Sequence, residues 1–260
     1  DISKDHADQA IHAKALLELG DSYRIFGELD KGEKLLKEGK AIFESLKIDG
    51  QVATANNKLG ALNVNKGNYE IAINYYLQAL KIWEELKDSQ NIIKPYVNIG
   101  AVFKNLNRNQ KAEEYYEKAL EWAEILDEYR ARMYVYNNQA IIYNANAVTY
   151  QSKAEKDTLN ASLFRDSVQF FIEKAMNKYE GALELARKLN DNRTRALCLT
   201  NLIDLNVTNG NYQEAIALSK EAEIILQDIG AITSLVSTKV NQSEAHRHLG
   251  QLKKSILRGE

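Results

Sequence analysis

Cysteine is almost absent: the chain of 260 residues holds one, Cys198. It can form no internal disulfide and no multi-cysteine zinc site. Proline is as scarce, with Pro95 alone, and 13 glycines supply few turns, which excludes a turn-rich all-β fold. No apolar run approaches the roughly 18 residues of a membrane span. Neither sign of charge dominates, since 34 Lys and Arg meet 36 Asp and Glu for a net charge of −2. The basic footprint of a nucleic-acid binder is therefore missing. A hydrophobic share of 45% argues against a disordered tail. The chain opens Asp1-Ile2-Ser3, without a methionine or a signal peptide, and reads as a mature or excised segment.

What the sequence has is a repeat. Gly20, Gly60, Gly100 and Ala140 stand 40 residues apart, and the register resumes at Ile203 and Ser243 after a gap of 63. The fourth repeat thus carries an insertion of 23 residues, between about Ala147 and Gln169. Twelve places after the marker come Gly32, Ala72, Ala112, Ala175 and Ala215. Sixteen places after it come Leu36, Tyr76, Tyr116, Tyr179 and Ser219. Apolar stripes at helical spacing precede each marker, as in Tyr96, Ile99 and Phe103, and a second stripe follows a turn such as Gly67-Asn68-Tyr69. Each repeat is therefore a pair of antiparallel helices. The small marker residue lets the second helix approach closely, and neighbouring pairs must stack to bury their faces.

The segments "KLGALNVNKGNYEIAINYYLQALKIW" and "NIGAVFKNLNRNQKAEEYYEKALEWA" resemble the tetratricopeptide repeat family, with its Leu-Gly, Tyr, then Ala, Tyr and Ala positions. The period of 40 rather than 34 and the missing proline near the end of the second helix are departures from that pattern. Versions with this longer period resemble those of kinesin light chains, spindle-orientation adaptors and bacterial signalling regulators. The resemblance implies an all-α fold, a right-handed superhelix of about six helix pairs forming one solenoid over residues 1–260. Its repeats fall at about 11–48, 51–88, 91–128, 131–190 with the insertion, 194–229 and a truncated 234–260. The last repeat is expected to end part-way along its second helix.

Signals for catalysis are poor. His246 and His248 lie two apart on a first helix and point to different faces, and Cys198 falls on an apolar helix as a small buried hydrophobe. There is no Gly-rich phosphate loop, HExxH or EF-hand loop. The segment is not expected to be an enzyme, and it calls for no cofactor and no metal. Tyr75-Tyr76 and Tyr115-Tyr116 could form a stacking platform for single strands. Core packing accounts for them better, so no nucleic acid is expected.

The insertion reads as both helices of the fourth repeat lengthened by about three turns and joined near Lys156–Asn160. Leu163, Phe164, Phe170, Phe171 and Ile172 exceed what a protruding hairpin can hide within itself. They either pack against the neighbouring repeats or, with Leu163, Phe164, Phe170 and Phe171, form a self-association surface for a possible homodimer.

Two places before the marker stand Glu18, Lys58, Asn98, Asn138, Asn201 and Asn241. Asparagine is a mediocre helix former, costing about half a kcal/mol relative to alanine, so four at one position ask for a reason. In the family this position lies on the first helix and faces the concave groove. A carboxamide there could match one peptide unit of an extended ligand; alternatively it could brace the neighbouring helix backbone. Groove neighbours that vary would supply selectivity: Lys94, Lys104, Asn105, Tyr134, Asn144, Asp204, Glu244 and Arg247. The resulting reading is a protein- or peptide-binding module, the sensory or regulatory segment of a larger bacterial signalling protein such as a histidine kinase or transcription regulator. Its rivals are a dimerisation scaffold built on the insertion and an effector-binding lobe for a small molecule. No direct membrane insertion is expected. The segment would be periplasmic in a membrane-anchored sensor kinase and cytoplasmic otherwise.

Overall fold

In the computed structural model, which describes the backbone of residues 2–258 and side chains from 5 to 250, eleven helices follow one another without a strand among the described residues. The chain divides into two compact units, Asp1–Asp127 and Glu128–Glu260. The N-terminal unit holds α1 (Ile2–Ile25), α2 (Leu29–Ser45), α3 (Asp49–Asn65), α4 (Tyr69–Glu85), α5 (Ser89–Asn105) and α6 (Asn109–Ile125). There α1 pairs with α2, α3 with α4 and α5 with α6, while α1, α3 and α5 also touch in succession. The C-terminal unit holds α7 (Tyr129–Lys156), α8 (Ala161–Lys188), α9 (Asn192–Thr208), α10 (Tyr212–Asp228) and α11 (Ile232–Arg258). There α7 pairs with α8 and α9 with α10, and α11 packs on both α10 and α9.

The period of 40 has a local cause. Regular helices run 17 residues and three-residue connections follow them, so each half-repeat takes 20. Nine connections share one device: the middle residue adopts positive φ, as Gly27, Lys47, Gly67, Lys87, Asn107, Asp127, Asn190, Gly210 and Gly230. In connections such as those at Gly67 and Lys87 the next N–H then reaches back to a carbonyl five residues earlier, from Asn68 to Asn63 at 2.8 Å and from Asp88 to Trp83 at 2.9 Å. This left-handed cap satisfies carbonyls that a helix end would otherwise leave bare. Asp88 and Asp191 add side-chain caps, accepting from the N–H of Asn91 at 3.3 Å and Thr194 at 3.0 Å.

The marker glycines do what close packing requires. A Cβ on Gly60 would stand 2.6 Å from the Tyr76 ring, and one on Gly100 would stand 2.5 Å from Tyr116. Volume is traded across this contact from repeat to repeat. Gly60 and Gly100 oppose tyrosines, whereas the fifth repeat places Ile203 at the marker and Ser219 sixteen places on, both buried. Ala72, Ala79, Ala112, Ala119, Ala175, Ala182, Ala215 and Ala222 are all fully buried.

Two expectations need correction. The sixth repeat shows no turn at Gly250: α11 continues unbroken from Ile232 to Arg258, so the sixth pair is represented by a single helix. Gly250 has open space around it, and no packed partner forces the chain to reverse there. In the fourth repeat, α7 and α8 run 28 residues each and meet at Asp157–Asn160. Eleven extra residues per helix and one in the turn make up the insertion. The hairpin hides more of its aromatics than its sequence suggests. Phe171 stacks on Tyr150 at 5.5 Å and on Tyr143 at 6.3 Å, and Phe164 lies 6.2 Å from Tyr150. Phe164 and Phe171 are thus half-buried within their own hairpin, where tyrosines of α7 meet them across it. Leu163 and Phe170 remain exposed, at 64% and 51%.

Candidate functional site

The first helix of each repeat presents the asparagine position. In the N-terminal unit the position is linked from repeat to repeat. Lys58 on α3 donates to Glu18 at 3.1 Å and to Asp21 at 3.4 Å on α1. Asn98 on α5 donates its Nδ2 to Asn57 Oδ1 on α3 at 3.1 Å. Asp21 also accepts from Arg24 Nε at 2.6 Å. Burial works to raise the Asp21 pKa, but the bonds and charges of Arg24 and Lys58 outweigh it and hold the carboxyl below its ordinary value. In the C-terminal unit Asn138 donates to the Tyr134 carbonyl of its own helix at 2.9 Å, and Asn201 and Asn241 are half-buried. These bonds of Asn98 and Asn138 are of the bracing kind. A primary amide has a second N–H and a carbonyl with two lone pairs, so bracing does not exhaust its capacity.

Each unit has a cleft on this side of its helices. In the N-terminal unit a cleft of about 300 Å3 is lined by Asp21 and Arg24 of α1, Thr54, Asn57, Lys58 and Ala61 of α3, Asn91 and Lys94 of α5, and Trp83. All but Trp83 come from first helices. In the C-terminal unit a cleft of about 440 Å3 lies between α7, α8 and α9, with Asn144 and Asp204 in its lining. Both clefts open to solvent.

Of the groove residues read from sequence, Lys94 reaches the first cleft, and Asn144 and Asp204 the second. Glu244 and Arg247 line a separate shallow depression on α11 with Val240 and Ser243. Asn98, Asn138, Asn201 and Asn241 lie on these first helices but not in the cleft linings. Tyr134 is exposed on α7, Asn105 is exposed at the end of α5, and half-buried Lys104 has its ammonium pKa pushed down by burial. Sequence reasoning passed over Asp21 and Arg24, although they occupy the same repeat columns as Asp204 and Arg247. It could not find Gln151, Arg165 and Gln169, which belong to the insertion and have no counterpart in other repeats.

Acid–base or nucleophilic chemistry has little to work with among the described residues. No group of three or more His, Cys, Asp or Glu converges as a metal cluster. Burial pushes the Cys198 thiol up to about 12, with Asp191 adding to the shift. His248 stacks on Tyr212 with ring centres 4.8 Å apart. No helix among the described residues is long and apolar enough to cross a membrane.

A family model described as tetratricopeptide repeat matches residues 11–85 and 51–125. The human protein O-mannosyl-transferase TMTC3 is 35% identical over 72 residues, which are 28% of this chain and 7% of that protein. Among solved structures, the chain is similar to a Rap protein complexed with Competence and Sporulation Factor, at 13% identity and a TM-score of 0.65, over 92% of this chain and 64% of that one. It is similar also to a signal transduction ATPase with a tetratricopeptide repeat sensor from Pyrococcus horikoshii, at 18% identity and a TM-score of 0.65, over 96% of this chain and 38% of that one. The chain therefore spans a small part of the curated relative and less than two thirds of either structural neighbour. Residues 11–125 thus match tetratricopeptide repeats, and the shared fold with the buried alanine and tyrosine columns makes the rest of the chain similar to that family.

Proposed function

We propose that the chain is a protein-binding module whose first helices hold an extended peptide. The observation that carries this reading is the cleft of the N-terminal unit, where α1, α3 and α5 all contribute polar side chains to one open surface. A ligand seated there touches three repeats at once, which suits an extended chain better than a compact molecule. First helices packed at about 10 Å meet a peptide that advances about 3.3 Å per residue at every third residue. The asparagines would then grip the backbone, and Lys94, Asn144 and Asp204 would read side chains.

The finer setting is a sensory or regulatory segment of a larger bacterial signalling protein, such as a histidine kinase or transcription regulator. The fold likeness to the Rap protein and to the repeat sensor of the ATPase supports it. A kinase or DNA-binding segment encoded in the same reading frame would bear this setting out, and a frame holding repeats alone would contradict it.

The binding reading is tested by selecting peptides from a random displayed library and fitting one with a photoreactive residue. Crosslinks should fall on first helices, at or beside Lys94, Asn144 or Asp204. Crosslinks confined to second helices, or no enrichment of any peptide, would overturn it. A second reading, self-association, rests on Leu163 and Phe170, seven residues apart on one face of α8 and exposed. Light scattering decides it: a dimer that dissociates on Leu163→Ser with Phe170→Ser supports the interface, and a monomeric native chain excludes it.

A further inference from the structure

Half of the lining of the C-terminal unit's cleft comes from the lengthened parts of α7 and α8: Ala147, Val148, Gln151, Arg165, Val168 and Gln169. The cleft's volume of about 440 Å3 is of the size that accommodates small ligand groups. The floor is apolar, with Val148 of α7, Val168 and Ile172 of α8, and Leu205 of α9. The polar rim is rich in acceptors. Gln151 gives its Nε2 to Glu155 at 3.0 Å, and Gln169 gives its own to Glu173 at 2.9 Å, which leaves their carbonyl oxygens as the acceptors at the rim. The Thr208 hydroxyl donates to the Asp204 carbonyl at 2.9 Å and likewise has lone pairs left. Exposed Asp204 has no ion-pair partner among the described residues.

The hairpin's lysines face elsewhere. Lys153 lies 4.7 Å from the Tyr150 ring centre, and Lys174 lies 4.6 Å from that of Phe170 and 5.3 Å from that of Tyr143. Neither lines the cleft. The cation that does, Arg165, sits seven residues from Ile172 toward the hairpin tip, about 10 Å along α8. Asp204 is level with Ile141 by repeat register, at the hairpin's base.

We infer that this cleft is a side-chain pocket for a basic residue, lysine or arginine, of a partner polypeptide. The methylene stem lies on the apolar floor while the charged head meets Asp204 in a charge-assisted bond. Remaining donors go to the Gln169 carbonyl and the Thr208 hydroxyl. An acidic side chain would meet Asp204 with like charge. The inference rests on the peptide-binding reading and adds which residue the partner presents to the C-terminal unit.

The probes are two blocked tripeptides, N-acetyl-Ala-Arg-Ala-amide and its glutamate counterpart, titrated to about 10 mM because a single side chain binds in the millimolar range. Amide chemical shifts are followed by NMR. The arginine peptide should move the amides of Val148, Val168 and Leu205, and the glutamate peptide should not. Asp204→Asn should weaken the response at least about tenfold, as loss of a charge-assisted bond implies. Val148→Lys, at a position 65% exposed and so tolerant of change, should abolish the response by placing a cation in the cleft. Asn201→Ala should leave it intact while weakening a full-length selected peptide, so the two readings fail separately. Circular dichroism checks that each variant folds. No shift in the cleft, an equal response to glutamate, full binding by Asp204→Asn and Val148→Lys, or loss in Asn201→Ala would each overturn the assignment.

Discussion

A lysine with positive φ is a costly way to end a helix. Lys47 and Lys87 hold φ of 54° and 55° at the connections after α2 and α4, where Gly27, Gly67, Gly210 and Gly230 do the same work elsewhere. A Cβ in the left-handed region costs roughly 1–2 kcal/mol, offset in part by the freedom glycine has in the unfolded chain. Lys87→Gly should therefore stabilise the protein by about 0.5–1 kcal/mol, read as a higher midpoint in urea. An unchanged or lower midpoint would mean that the lysine makes a compensating contact. At the same scale, Asp21 makes stability depend on pH. Its folded pKa lies below the ordinary 3.8, so its contribution is complete above that value and is lost as pH falls through the lowered one. Asp21→Asn should flatten the loss of stability below about pH 4 relative to the native chain, measured by urea midpoints across that window. Parallel curves would show that Arg24 and Lys58 do not favour the ionised form.

At the scale of helices, packing follows the small-residue columns. Fully buried Ala112 lies on α6, which packs against α5. Ala112→Leu should overpack that contact and cost about 1–3 kcal/mol, seen as a lower melting temperature. An unaltered melting temperature would show that the two helices meet elsewhere. The hairpin of α7 and α8 makes a different prediction. Its tip is exposed, with Leu159 at 91%, though Asp157 ties it by accepting from the N–H of Leu159 and Asn160 at 3.1 and 3.2 Å. Trypsin should cut after Lys156 before cutting at any connection of regular repeats. Earlier cleavage after Lys47 or Lys87 would mean that the tip is the better protected segment. The helix pairs, their order and the hairpin junction were legible in the sequence because small residues and turns recur at fixed intervals. The absence of a second helix in the last repeat was not, since a glycine such as Gly250 permits a turn without compelling one. Nor was the packing of Phe164 and Phe171 within their own hairpin, because the tyrosines they meet, Tyr143 and Tyr150, sit across a hairpin whose facing register the sequence does not state.

Over the whole chain, sequence reads one continuous run of repeats, whereas contacts gather into two compact units with the lengthened hairpin opening the second. The candidate site was only partly legible. Columns pick out first-helix faces, and Lys94, Asn144 and Asp204 do reach clefts. Columns cannot reveal a cleft half lined by an insertion, nor that Asn98 reaches Asn57 on the preceding first helix. That bond is why bracing and ligand binding need a direct contrast. The decisive measurement is calorimetric titration of a selected peptide into the native chain and into the Asn98→Ala, Asn138→Ala double variant. Two lost side-chain bonds of about 0.5–1.5 kcal/mol each should lower affinity roughly 5- to 150-fold. The variant should keep its helicity and melting temperature, since alanine is the better helix former. A variant that unfolds would make these asparagines internal braces, and one that folds and binds with full affinity would place recognition outside the first-helix face.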